Sequence, residues 1–100
     1  MQNQRPIAAY IVFESHPTLT DKIPLFEGEN TVGRVPEKAS VIIKDGQISS
    51  LHAEINITSN SIIIVDMGSK NGTFLDIDMR ERIDKGKKYE ISENQKLSFG

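Results

Sequence analysis

The 100-residue chain contains no cysteine, which excludes a disulfide framework and a thiolate metal site and permits a reducing compartment. No apolar stretch approaches the roughly 20 residues of a membrane-spanning helix, and the first ten residues lack the basic start and apolar middle of a secretory signal. An excess of charge of one sign is missing too. Twelve Lys and Arg stand against 14 Asp and Glu, interspersed, for a formal net charge of -2; the field of the whole chain draws it neither to nucleic acid nor to an anionic membrane. Internal repeats, low-complexity tracts and heptads are absent as well. These absences predict one soluble intracellular domain held by packing alone, in which any anion site is local.

What is present is β-branched. Ile (14) and Val (5) far outnumber Leu (5) and Ala (4), and β-branched side chains fit a pleated surface and lose freedom in a helix. The chain therefore reads as all-β. Strands are predicted over Ile7 to Phe13, Lys22 to Phe26 (an edge or bulged strand, because Pro24 cannot donate to a ladder), Thr31-Val32 and Val41 to Ile43. Glu27 to Asn30 reads as a turn. Ala53 to Thr58 alternates apolar and polar, as in a strand with one wet face, whereas Ile62 to Val65 is continuously apolar and reads as buried on both faces. Thr73 to Leu75, Arg82-Ile83, Lys88 to Ile91 and Lys96 to Phe99 follow. Strands every eight to twelve residues suggest a sandwich, and the stop inside the last one predicts a longer natural polypeptide.

Three polar clusters stand out, and each alone has an ordinary reading. Gly33-Arg34 is a turn glycine beside a solvated arginine, and Asn71-Gly72 is the commonest hairpin dipeptide. Ser49, His52 and Asp66 invite a nucleophile, base and orienter. Yet residues three apart in a strand tend toward opposite faces, and no strand-to-helix elbow surrounds Ser49, so catalysis is not expected. His16 and His52 are the only imidazoles and lack the close partners of a zinc site. Neither a metal nor any other cofactor is implied.

In order and spacing together, the clusters resemble the forkhead-associated (FHA) domain family: Gly33-Arg34, then Ser49-x-x-His52, then Asn71-Gly72. The flanks Asn30-Thr31-Val32, Ala53-Glu54-Ile55, Asp66 with Gly68-Ser69, and Thr73-Phe74-Leu75 agree. The resemblance runs from Ile11 to Gly100. It implies a two-sheet β-sandwich of about eleven short strands, the last beyond residue 100, with an N-terminal arm at 1–6 and the domain at 7–100. It also implies a phosphothreonine-peptide adaptor. Arg34 would pair with the phosphate, Ser49 would donate its hydroxyl and Asn71 would hold the peptide backbone, while Gly33, His52 and Gly72 would be architectural.

Two positions vary within that pattern. Ser50 stands where a basic or amide residue often adds a phosphate contact, so that contact is weak or missing; Lys70 stands where many members carry Thr or Ser, and its ammonium is expected to compensate. Lys38 and Lys44 read equally well as local positive potential and as ordinary surface lysines. Gln47 occupies a place that in some members reads the residue three after the phosphothreonine, and glutamine selects weakly for an acid there. Val32 to Pro36 and His52 to Ile55 further resemble the N-terminal domains of mediator of DNA damage checkpoint proteins, which implies a nuclear, damage-signalling setting and a homodimer. No threonine precedes Thr18, so a dimer would use sandwich faces, Thr18 or Thr20. The second reading is accordingly a self-association module whose phosphate pocket is little used. Direct nucleic-acid and membrane partners are not expected.

Overall fold

The computed structural model describes residues 5–11, 23–76, 80–93 and 95–100, Asp76 by its backbone alone. Predictions for Val12 to Lys22, including Thr18 and Thr20, for Ile77 to Met79 and for Asn94 lie outside the described residues. Ten strands are present among the described residues: β1 Ile7–Ile11, β2 Ile23–Phe26, β3 Gly28–Gly33, β4 Val41–Ile42, β5 Ala53–Ile57, β6 Ile62–Asp66, β7 Thr73–Asp76, β8 Arg80–Arg82, β9 Lys88–Ile91 and β10 Lys96–Phe99. They form a five-stranded sheet in the order β4-β3-β5-β6-β9, a three-stranded sheet β10-β7-β8 and a β1-β2 pair. Among the described residues no helix is long and apolar enough to cross a membrane.

The layers meet on one apolar cluster. Val32, Ala53, Ile55, Ile57 and Ile64 of the five-stranded sheet pack with Leu25 and Ile83, and Leu75, Leu97 and Phe99 close on them from the smaller sheet. Fully burying a side chain such as Ile55 or Ile64 contributes about 1.5–3 kcal/mol. That makes this cluster the main source of stability in a chain without cross-links.

Pro24 sits as expected in a strand paired on one side only, opposite Tyr10. Two expectations are corrected. Glu27 to Asn30 is not a turn: β3 begins at Gly28, and Asn30 lies inside it, 1 % exposed. Its amide accepts from the Phe26 N–H and donates to the carbonyls of Phe26, Gly28 and Ile55, a set of partners that makes a buried asparagine tolerable. Ile62 to Val65 is buried on one face. Ile64 is fully covered, but Ile63 and Val65 are half-exposed on the outer face, where they oppose Glu90 and Lys88 of β9.

One end of the sandwich collects the loops β3–β4, β4–β5 and β6–β7. The link from β6 to β7 crosses between sheets, so Asn71-Gly72 is not a hairpin turn. A cavity of about 820 Å³ lies at the other end, between β1, β10 and the β5–β6 turn.

Candidate functional site: a polar rim over a buried hydrogen-bonded tier

The three sequence clusters converge at the loop end. Arg34 leaves β3 and is fixed twice to the loop before β5: its N–H donates to the Ser49 carbonyl at 3.0 Å and its Nε to the Ile48 carbonyl at 3.0 Å. Arg34 is exposed, and Nε is the one guanidinium nitrogen with a hydrogen bond among the described residues, which leaves the terminal amino groups as uncommitted donors. The approach depends on Gly33, since a Cβ there would drive into the Ser50 carbonyl and touch Ala39. Gly33 is required for contact rather than for turn geometry.

Ser49 Oγ accepts the Lys70 N–H at 2.9 Å, which joins the second loop to the third and leaves the hydroxyl proton free to donate. Asn71 Nδ2 donates to the Gln47 carbonyl at 3.0 Å. Arg34, Ser49, Lys70 and Asn71 therefore share one rim; Arg34 and Lys70 are exposed, Ser49 and Asn71 half-buried. Ser50 contributes its carbonyl to the Val35 N–H, and no hydrogen bond of its hydroxyl is seen among the described residues. Lys38 and Lys44 are exposed on the neighbouring loops.

Beneath the rim lies a tier of fully buried polar groups. His52 is 0 % exposed. Its Nδ1 accepts the Ser49 N–H at 3.1 Å, so Nε2 carries the proton and donates it to the Gly72 carbonyl at 2.8 Å. The ring also meets Phe99 edge-on at 5.5 Å. Both ring nitrogens are thus engaged by backbone groups, and among the described residues no hydrogen bond joins the Ser49 hydroxyl to this imidazole. Gly72 has φ +92°, a conformation that favours glycine.

The pivot of the third loop is Asp66, which the sequence offers as a flank of the family pattern and as an orienter for a catalytic pair, without a bracing role. Its Oδ1 accepts the N–H groups of Gly68 and Ser69, its Oδ2 accepts the Ser69 hydroxyl at 2.7 Å, and Ser69 Oγ in turn accepts the Gly72 N–H. Burial pushes the Asp66 carboxyl up, but the donors from Ser69, Thr73 and Gly68 outweigh it and hold the group below its ordinary value of 3.8. The buried Thr73 hydroxyl completes no hydrogen bond of good geometry, so Ser69 is the stronger partner. Asp-x-x-Ser ahead of Asn-Gly was the available signal for this loop-bracing role.

The rim can present an anion with a guanidinium, a hydroxyl donor and a lysine, and can offer a side-chain amide to an extended backbone. The FHA domain family profile matches residues 30–100. GarA of Mycobacterium tuberculosis, a glycogen accumulation regulator, is 30 % identical over 79 residues, which cover 79 % of this chain and 46 % of GarA. The oxoglutarate dehydrogenase inhibitor of Corynebacterium glutamicum is 32 % identical over 73 residues, 73 % of this chain and 50 % of the inhibitor. This chain thus spans about half the length of the curated relatives it matches. The FHA domain of the CT664 protein of Chlamydia trachomatis superposes with a TM-score of 0.70 at 34 % identity, covering 81 % of this chain and 78 % of that one. With its sandwich, its three converging loops and a profile match over most of its length, the chain belongs to the FHA domain family.

Proposed function

We propose that the rim binds a phosphothreonine peptide and that the domain acts as a phosphorylation-dependent adaptor. The observation that carries this reading is the exposed Arg34 guanidinium, tethered through Nε to the carbonyl of Ile48, the residue before Ser49, whose own hydroxyl oxygen accepts the Lys70 N–H. Phosphothreonine brings roughly -1.5 to -2 charges and three strong acceptor oxygens, and such a group is matched by a guanidinium fork and a hydroxyl. Asn71 holds the peptide backbone beside the phosphate. Ser50 adds little, and Lys70 supplies the compensating charge.

Two or three hydrogen bonds to a charged group, each worth roughly 1.5–3 kcal/mol, go most of the way to the roughly 8 kcal/mol of micromolar binding. The threonine methyl adds only about 0.8 kcal/mol over serine, roughly fourfold. The domain is not an enzyme. Regulation through protein binding fits the curated relatives, one named a glycogen accumulation regulator and the other an oxoglutarate dehydrogenase inhibitor. Both are bacterial, so they lend no support to a nuclear, damage-signalling setting, and that setting is not part of the proposal.

We place the domain at residues 7–100 and the arm at 1–6, with Pro6 already tied to the fold through the Glu27 N–H. The test is a titration with peptides carrying phosphothreonine, phosphoserine or unmodified threonine in one sequence background. Binding of the first, weaker binding of the second and none of the third are expected. A tight dimer that binds none of them would favour the self-association reading instead.

A further inference from the structure

Two arginines that this reading leaves unused stand beside the peptide-holding amide. Arg80 and Arg82 lie on β8, the edge of the three-stranded sheet, with Arg82 opposite Phe74 and Arg80 opposite Asp76 on β7. The Arg80 guanidinium lies over the Phe74 ring, 3.8 Å from its centroid, and donates from Nη2 to the Gly100 carbonyl at 2.7 Å. The Gly100 N–H donates to the Gly72 carbonyl at 2.8 Å. Arg82 rests against Gly72 itself: a Cβ on Gly72 would sit 2.7 Å from Arg82 Nε and 3.0 Å from its Cζ.

Both guanidinium groups are thus set against the Gly72-Gly100 pair, one residue from Asn71. The Gln47 carbonyl closes the same corner, accepting from Asn71 and lying against the Gly100 α-carbon. The two arginines differ in their commitments. Arg80 is engaged by a ring and a carbonyl. Arg82 is exposed and makes no hydrogen bond or ion pair among the described residues. Its neighbour on the chain, Glu81, alternates to the other face of the strand.

Resting on the phosphopeptide reading above, we propose that this corner is an acid-reading subsite, in which Arg82 pairs with an Asp or Glu side chain of the bound peptide on one flank of the phosphothreonine. Arg80, stacked on Phe74, keeps the corner positive behind it, since a cation over an aromatic face is held in place. The missing side chain at Gly72 lets Arg82 lie close to the peptide track laid down by Asn71. Selection for an acid then comes from the β8 edge rather than from Gln47.

The test is a walk of a single Glu, one position at a time, through the residues on both sides of phosphothreonine in an otherwise neutral peptide, measured by anisotropy with the wild type, Arg82→Gln and Arg82→Lys. An exposed ion pair predicts a gain of about three- to fivefold at one position in the wild type, shrinking as salt rises. Arg82→Gln abolishes that gain and leaves binding of the neutral phosphopeptide unchanged, and Arg82→Lys retains part of it. A flat walk in the wild type, or a preference that survives Arg82→Gln, overturns the subsite while the phosphopeptide reading stands. Failure of the neutral phosphopeptide to bind the wild type overturns that reading and the subsite with it.

Discussion

Asp66, Ser69 and His52 are polar yet at most 1 % exposed, whereas Arg34 and Lys70, joined to the same loops, reach into solvent. The two sets do different work. The buried tier spends its hydrogen-bonding capacity on the backbone: Asp66 on Gly68 and Ser69, Ser69 on Gly72, His52 on Ser49 and Gly72. The rim keeps donors in hand. A buried charge is tolerated only when it is paired or hydrogen-bonded, so the tier is a condition of folding, while the rim is free to serve recognition. Substitutions should therefore separate by layer, and those that do not would break the comparison.

The largest effect is expected in the tier. Asp66→Ala removes three charge-assisted hydrogen bonds and leaves the Ser69 and Gly68 donors unpaired in the interior, costing about 3 kcal/mol. For a domain of this size that is a fall in Tm of more than about 12 °C, read by circular dichroism. Because its folded pKa is depressed, the ionised carboxylate contributes stability that is fully present above its unfolded value of 3.8 and is lost as pH falls through the lower folded value. Urea midpoints of the wild type should drop through that acid range, and those of Asp66→Asn should drop less there.

Ser49→Ala probes the border between the layers. It deletes the acceptor of the Lys70 N–H and the hydroxyl offered to phosphate, so affinity for a phosphothreonine peptide should fall about tenfold, with a loss of stability of about 1 kcal/mol, seen by calorimetry and a parallel melt. An unchanged affinity would remove Ser49 from the rim.

The smallest effect belongs to neither layer. Glu54, on the outer face of the five-stranded sheet, is raised above its ordinary 4.5 by partial burial and by the neighbouring Glu29 carboxyl, with Lys88 pulling the other way. A raised pKa favours the folded state below the unfolded value, and that stability is lost as pH rises through the folded one. Glu54→Gln should therefore raise Tm slightly at pH 7 and have no benefit below about pH 4, with peptide affinity unaltered.

The rim was legible in the sequence and the tier was only partly so. Arg34, Ser49 and Asn71 stand out through their residue types, order and spacing, and Gly33 does so because only a missing side chain lets the Ser50 carbonyl approach. Asp66 and Ser69 stand in the sequence as flanks of the family pattern, but their bracing role does not show there, since a chain of side chain-to-backbone hydrogen bonds has no hydrophobic period to reveal it. Asn30 was misread for a related reason. Glycine and asparagine within one short polar segment, Glu27 to Asn30, signal a turn, and only the register of β3 against β5 shows the asparagine amide partnering a buried carbonyl. The alternation of β5 was plain in sequence, whereas the run Ile62 to Val65 hid its half-exposed face because isoleucine and valine occupy both sides of it.

The most direct test of this division is a pair of numbers on Arg34→Ala: its Tm and its affinity for a phosphothreonine peptide that the wild type binds. An exposed arginine that serves recognition predicts a Tm within a few degrees of the wild type, because such surface changes fall within about 0.5 kcal/mol, together with a loss of affinity of about 10- to 100-fold. Retained affinity, or a loss of binding that merely follows unfolding, would contradict the assignment of the rim to phosphate recognition.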